Sequence, residues 1–183
     1  TVKPAENELR QMNDYPIADS RNRLKIKHSS RDYWLAGQTM EESRLNYGTI
    51  MHDILKKIVT RSDEDKAINE MIVSGKITEL ESEMIRTEMT KFWNMPETAA
   101  WFDPLAKILN ETSILLPTGE QYRPDRLILR DNKAVIVDYK FGDEIMKSHA
   151  LQIANYENII RQMGYETETY LCYVNLSKVI SLS

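Results

Sequence analysis

Arg123-Pro124-Asp125-Arg126-Leu127-Ile128-Leu129-Arg130-Asp131-Asn132-Lys133-Ala134-Val135-Ile136-Val137-Asp138-Tyr139-Lys140 is the run that sets the fold. Two apolar, β-branched segments, Arg126–Leu129 and Ala134–Tyr139, flank Asp131-Asn132, a pair suited to a tight turn. The run reads as an antiparallel hairpin with Asp125 where one strand begins and Asp138 and Lys140 closing the next. Strand side chains alternate, so Asp138 and Lys140 share a face and Tyr139 points away. Antiparallel neighbours can bring Asp125 beside Asp138. Two carboxylates that close repel, which raises one pKa unless a cation sits between them. A hard divalent cation such as Mg²⁺ suits oxygen ligands of this kind. Its bound water becomes a nucleophile near neutral pH, and a nearby lysine ammonium can orient that water or offset phosphate charge. Asp125, Asp138 and Lys140 are thus a minimal kit for phosphodiester hydrolysis. Charged residues at strand ends are also commonly solvated, so the spacing gains its weight from its place on a hairpin.

Outward from the hairpin, the spacing of Tyr47, Ile50, Met51, Ile54, Leu55 and Ile58 predicts an amphipathic helix over 44–59. A second helix is expected over 64–74, punctuated by Gly75, and Thr78-Glu79-Leu80-Glu81 is a capping box opening a third helix to Asn94. Pro96 is expected to start a short fourth helix. After Lys107 the period changes. Ser113–Pro117 is read as a strand before the hairpin, 148–163 as a helix stopped by Gly164, and Thr169–Val174 as a further strand, with Val179-Ile180 beginning another. The expected order is four helices, then β-β-β-α-β: an α/β core behind a helical lobe. Residues 1–45 are polar and mixed, with one ordered element expected around Leu24-Lys25-Ile26 and Tyr33-Trp34-Leu35. They read as a linker or accessory segment ahead of a domain over 46–183.

The chain has 183 residues, 42% hydrophobic and 28% charged, which excludes a disordered or fibrous polypeptide. Its aliphatic runs are far shorter than a bilayer span of ~20 residues, and no basic, apolar leader opens it, so neither membrane insertion nor a signal peptide is expected. The single Cys172 excludes a disulfide scaffold, a Cys-rich zinc site and a four-cysteine iron–sulfur cluster, and points to a reducing compartment. The net charge is −4, without the basic excess of a dedicated nucleic-acid grip. Together with the Thr at position 1, that balance favours a domain of a larger machine. Six basic residues, Arg123, Arg126, Arg130, Lys133, Lys140 and Lys147, are expected to surround the site. Six phosphate contacts would give a salt slope of roughly −4 to −5.

The run Arg123-Pro124-Asp125-Arg126 … Val137-Asp138-Tyr139-Lys140-Phe141-Gly142 resembles the PD-(D/E)xK nucleases, and within them the C-terminal nuclease domain of RecB- and AddA-type, UvrD/Rep-like helicase–nucleases. The resemblance covers Tyr47 to Val174 and implies a restriction-endonuclease-like αβββαβ core. Gly48-Thr49-Ile50-Met51-His52 is similar to the family's Gly-x-x-x-His helix, in which the histidine ligates metal. Glycine there would let another element approach closely. Gln152 and Tyr156 are similar to its Gln-x-x-x-Tyr motif. Glu111 falls where related nucleases carry an additional acidic residue. Pro124 and Phe141 depart from the usual pattern without removing a ligand.

The resemblance implies an Mg²⁺- or Mn²⁺-dependent deoxyribonuclease, of exonuclease type, acting at DNA ends in double-strand break repair and recombination. Its partners would be linear DNA and a superfamily 1 helicase in the same chain or complex, in the bacterial cytoplasm at the nucleoid. His52, Asp125 and Asp138 would hold the metal with the Tyr139 carbonyl. Lys140 would position the water, Glu111 would assist, and Gln152, Tyr156, Arg123 and Arg126 would engage the DNA. Two alternatives stay open: a catalytically silent nuclease fold used as a DNA-end or protein-docking module, and a stand-alone nuclease of phage or restriction type.

Overall fold

The computed structural model describes residues 40–182 apart from position 117, with side chains from Tyr47 onward. The elements expected around Leu24–Ile26 and Tyr33–Leu35 lie outside the described residues. Of the segment 1–45, residues 40–45 belong to the first helix. That helix, α1 (Met40–Lys57), starts earlier and ends sooner than its periodicity implied. A short 3-10 turn (Arg61–Asp63) leads into α2 (Glu64–Val73), followed by α3 (Glu79–Trp93) and the four-residue α4 (Thr98–Trp101). The Thr78 cap forms as its sequence demands. Glu81 N–H donates to Thr78 Oγ1 at 3.2 Å, and Thr78 N–H donates to the Glu81 carboxylate at 2.6 Å.

The strands are β1 (Lys107–Asn110), β2 (Ile114–Leu115), β3 (Gln121–Tyr122), β4 (Arg126–Arg130) and β5 (Lys133–Lys140). After α5 (Lys147–Gln162) come β6 (Glu166–Tyr173) and β7 (Lys178–Ser181). A five-stranded mixed sheet runs β1-β4-β5-β6-β7, parallel only between β5 and β6, and β2 and β3 pair separately. The chain is therefore α/β. One expectation is corrected here: the first strand of the main sheet is Lys107–Asn110, and the expected Ser113–Pro117 strand shrinks to Ile114–Leu115 in the side hairpin. The Ile114-Leu115-Leu116 run carried the stronger local signal. Pairing of β1 with β4, a non-local choice, decided the sheet.

The two faces of the sheet bury different partners. Ile50, Met51, Ile54 and Leu55 form the stripe of α1 and, with Ile58 just past its end, pack with Ile68, Met71, Ile85, Met89 and Phe92 against Ile128, Val137, Tyr139 and Cys172. On the other face Ile153, Tyr156 and Ile160 of α5 cover Leu127, Ala134, Ile136, Leu171 and Tyr173. Each such aliphatic side chain contributes roughly 1.5–3 kcal/mol on burial. Two helical layers thus clamp one sheet, and the alternation of β5 puts Asp138 and Lys140 on the α5 face.

Arg126 corrects a second expectation. It does not reach the surface to meet DNA; it is fully buried on the lobe face. Its guanidinium donates to the carbonyls of Trp101 (2.9 Å), Ile58 (2.8 Å) and Val59 (2.7 Å) and to Asn110 Oδ1 (3.1 Å), and lies 3.7 Å above the Phe102 ring. The last carbonyls after a helix lack intrahelical partners, and a planar fork of donors satisfies several at once. Arg126 therefore pins the end of α1 to β4, one residue from Asp125.

Candidate metal centre

Two registers build the site. Asn110 pairs with Arg126 across β1 and β4, and Arg126 with Val137 across β4 and β5. One step further along, Glu111, Asp125 and Asp138 fall in a single row across three adjacent strands. Two bonds fix that row. Glu111 N–H donates to the Asp125 carbonyl at 3.0 Å, and Tyr139 N–H donates to Asp125 Oδ2 at 2.8 Å. Glu111 sits just past β1 with φ 45°, in the left-handed region that costs a non-glycine residue of order 1–3 kcal/mol. The pleat ends there, and the side chain is released from strand alternation.

His52 enters from α1. Its Nδ1 lies 3.5 Å from Asp125 Oδ1, and its ring stands edge-on to Phe141 with centroids 4.9 Å apart. His52, Glu111 and Asp125 each bring one ligand atom to within 4.8 Å of the others. Lys140 Nζ lies 2.6 Å from Asp138 Oδ2, off the line of a hydrogen bond, so that buried oxygen has ion-pair contact but no hydrogen-bond donor. The same ammonium donates to Gln152 Oε1 at 3.0 Å. Gln152 Nε2 donates to the Tyr156 hydroxyl at 3.0 Å, which donates to the Arg123 carbonyl at 3.4 Å. The two residues resembling a Gln-x-x-x-Tyr motif are thus wired to Lys140.

Burial, and next the neighbouring Asp138, push the Asp125 carboxyl up to about 7, against the lowering pull of the Tyr139 N–H. Burial lowers the His52 imidazole, with Lys140 acting in the same direction and Asp138 and Glu111 opposing it. A neutral His52 keeps a ring lone pair for coordination at pH 7. One imidazole with several carboxylate oxygens and no thiolate is a donor set for Mn²⁺ or Mg²⁺ rather than for a softer metal. The strained Glu111 and the donor-less Asp138 oxygen fit a cation at this row.

Other expectations fare differently. Arg123 is exposed two residues before Asp125, and Lys147 is exposed at the start of α5. Arg130 and Lys133 flank the β4–β5 turn, about 17 Å along the strand from Asp125, and Arg130 pairs with Asp103 at 2.8 Å. Of the six bases expected around the site, Arg123 and Lys140 are therefore the ones tied to it. A Cβ on Gly48 would meet only Phe141 Cβ, at 3.7 Å, so no close approach demands glycine there. Tyr139 buries its side chain in the lobe against Phe92.

Sequence reasoning missed two members. Phe141 walls the His52 ring, and Lys56 Nζ pairs with Glu111 Oε2 at 2.7 Å. Lys56 was findable, since it follows His52 by four residues on one helix face. No family model matches this sequence, and no curated protein matches it. Among the described residues, no helix is long and apolar enough to cross a membrane.

Proposed function

We propose that this chain is a divalent-metal-dependent deoxyribonuclease with a restriction-endonuclease-like core. In this reading it is a PD-(D/E)xK domain similar to the nuclease of RecB- and AddA-type helicase–nucleases. The observation that carries the reading is the row Glu111–Asp125–Asp138, flanked by His52 and by Lys140 two residues beyond Asp138. His52, Glu111 and Asp125 would hold the cation, with Asp138, now paired with Lys140, and the Tyr139 carbonyl as further donors. A bound Mg²⁺ or Mn²⁺ supplies an activated water and offsets the phosphate charge.

The residues of the chain do the rest. Lys140, tethered by Asp138 and Gln152, offers its ammonium to the water and the phosphate. The water oxygen would bond to phosphorus and release its proton to solvent, while the ester P–O bond breaks and the leaving oxygen takes a proton from solvent. Gln152, Tyr156 and Arg123 orient the strand. The reaction class is hydrolysis at the ends of linear DNA, in break repair and recombination, within the bacterial cytoplasm. With a net charge of −4 and few exposed cations at the row, a superfamily 1 helicase in the same chain or complex delivers the DNA.

The test is degradation of end-labelled single- and double-stranded DNA at low salt with Mg²⁺, Mn²⁺ or EDTA, wild type beside Asp138→Ala. Metal-dependent cleavage lost in Asp138→Ala supports the reading. Without cleavage, calorimetry with Mn²⁺ decides: binding lost in Asp138→Ala means an intact site awaiting its helicase. Absence of binding overturns the catalytic reading in favour of a docking module.

A further inference from the structure

Lys56 and Glu111 are far apart in sequence, yet their meeting is built by backbone ties. Asn110, the residue before Glu111, donates its side-chain amide to the carbonyls of Lys56 (2.9 Å) and Ile58 (3.1 Å). Asn110 Oδ1 in turn receives Arg126. The end of β1 is thereby fastened to the end of α1, and Lys56 Nζ reaches Glu111 Oε2 at 2.7 Å. The two partners differ in exposure. The Lys56 side chain is 47% exposed, whereas that of Glu111 is 15% exposed. Lys56 can therefore swing into water with little cost, while Glu111 stays with His52 and Asp125 at the row.

Three carboxylates at the row meet two lysines: Lys140 covers Asp138 and Lys56 covers Glu111. A carboxylate that gives its charge to a divalent cation has less to give to an ammonium a few ångströms away. Lys56 then becomes an uncompensated positive charge at the rim of the site.

We propose that Lys56 is a metal-gated DNA contact. It neutralises Glu111 while the site is metal-free and transfers to a DNA phosphate once Glu111 turns to a divalent cation. This inference rests on the proposed nuclease reading and adds to it a regulation: the chain gains one further DNA phosphate contact when the site is charged with metal. Reciprocity follows, because whatever frees Lys56 for DNA also favours metal at Glu111.

The experiment compares wild type, Lys56→Gln and Lys56→Arg. Binding of a fluorescent duplex with a single-stranded tail is measured against salt, in Ca²⁺ and in EDTA, and Mn²⁺ affinity is measured by calorimetry. In Ca²⁺, Lys56→Gln is expected to lose about 0.7–0.9 from the salt slope, one phosphate's worth, while Lys56→Arg keeps it. In EDTA the three proteins are expected to bind equally weakly. Lys56→Gln is also expected to hold Mn²⁺ between about threefold and tenfold more tightly, having lost a competing charge. Equal slopes in Ca²⁺ overturn the inference. So does weaker Mn²⁺ binding by Lys56→Gln, which would make Lys56 a fixed support for Glu111. Metal and DNA binding by wild type that Lys56→Gln leaves untouched defeats this inference alone. A wild type that binds neither Mn²⁺ nor DNA takes the proposed function with it.

Discussion

Asp125 divides its two oxygens between backbone and site: Oδ2 accepts the Tyr139 N–H at 2.8 Å, and Oδ1 faces His52 Nδ1 at 3.5 Å. One oxygen locks the carboxylate to the neighbouring strand, and the other is left for chemistry. The lock also brings Asp125 beside Asp138, in a place from which much of the water is excluded.

That crowding has a pH signature. In the metal-free fold Asp125 keeps its proton up to about 7, whereas an unfolded Asp releases it near 3.9. Between those values the folded state binds more protons, so stability falls as pH rises and levels off above about 7. His52, held low by burial, acts oppositely near its own titration. The difference between wild type and Asp125→Asn therefore isolates the aspartate. Urea unfolding in EDTA at several pH values between about 4 and 8 is expected to show the downward trend in wild type and its loss in Asp125→Asn. A difference that does not change with pH would count against the buried, crowded carboxyl.

Arg126 is the main polar fastener of the lobe. Arg126→Ala leaves buried carbonyls at Trp101, Ile58 and Val59 without donors and is expected to cost about 3–5 kcal/mol of folding stability. Arg126→Lys is expected to recover little, because a point-like ammonium cannot span the fork. Chemical denaturation reads both. A loss below about 1 kcal/mol in Arg126→Ala would mean that water replaces the guanidinium.

Glu111 carries a backbone cost, and its ion pair with the half-exposed Lys56 offsets little of it. Asn tolerates the left-handed region better, so Glu111→Asn is expected to raise metal-free stability by up to about 1 kcal/mol. The same change is expected to weaken Mn²⁺ binding at least tenfold, in the range for a lost ligand or close support. Melting curves and calorimetry on one sample measure both. Unchanged Mn²⁺ binding would remove Glu111 from the centre.

Gln152 touches Lys140 and Tyr156 but none of the proposed metal ligands among its hydrogen bonds. Gln152→Ala is expected to slow DNA cleavage by about tenfold or more while Mn²⁺ affinity stays within about twofold of wild type. Lys140→Ala is expected to go further, to near-complete loss of cleavage. Equal damage to metal binding in Gln152→Ala would show that Gln152 supports the carboxylates rather than the ammonium.

Local chemistry made much of this legible in the sequence. The Thr78-Glu79-Leu80-Glu81 box, the α1 stripe and the β4–β5 hairpin all depend on residues near one another in the chain, and all three form. The hairpin, by itself, places Asp125 opposite Asp138 and Lys140 on the Asp138 face. Where the deciding interaction was distant, the reading failed. Lys107–Asn110 becomes a sheet strand because β4 offers it an edge, and Ile114-Leu115, with the stronger run, is left to the side hairpin.

Arg126 makes the same division within two adjacent residues. Asp125 and Arg126 both looked like surface chemistry, yet alternation sends them to opposite faces and the lobe closes over the arginine. A sequence shows the charge of a side chain but not which carbonyls will surround it. The residue types, their alternation and the turn between them determined that a carboxylate pair and a lysine would share one strand end. Only the packing of α1 against the sheet decided that His52, Lys56 and Glu111 would join them. Those contacts join residues 55 to 73 positions apart, and no local pattern encodes the distance between them.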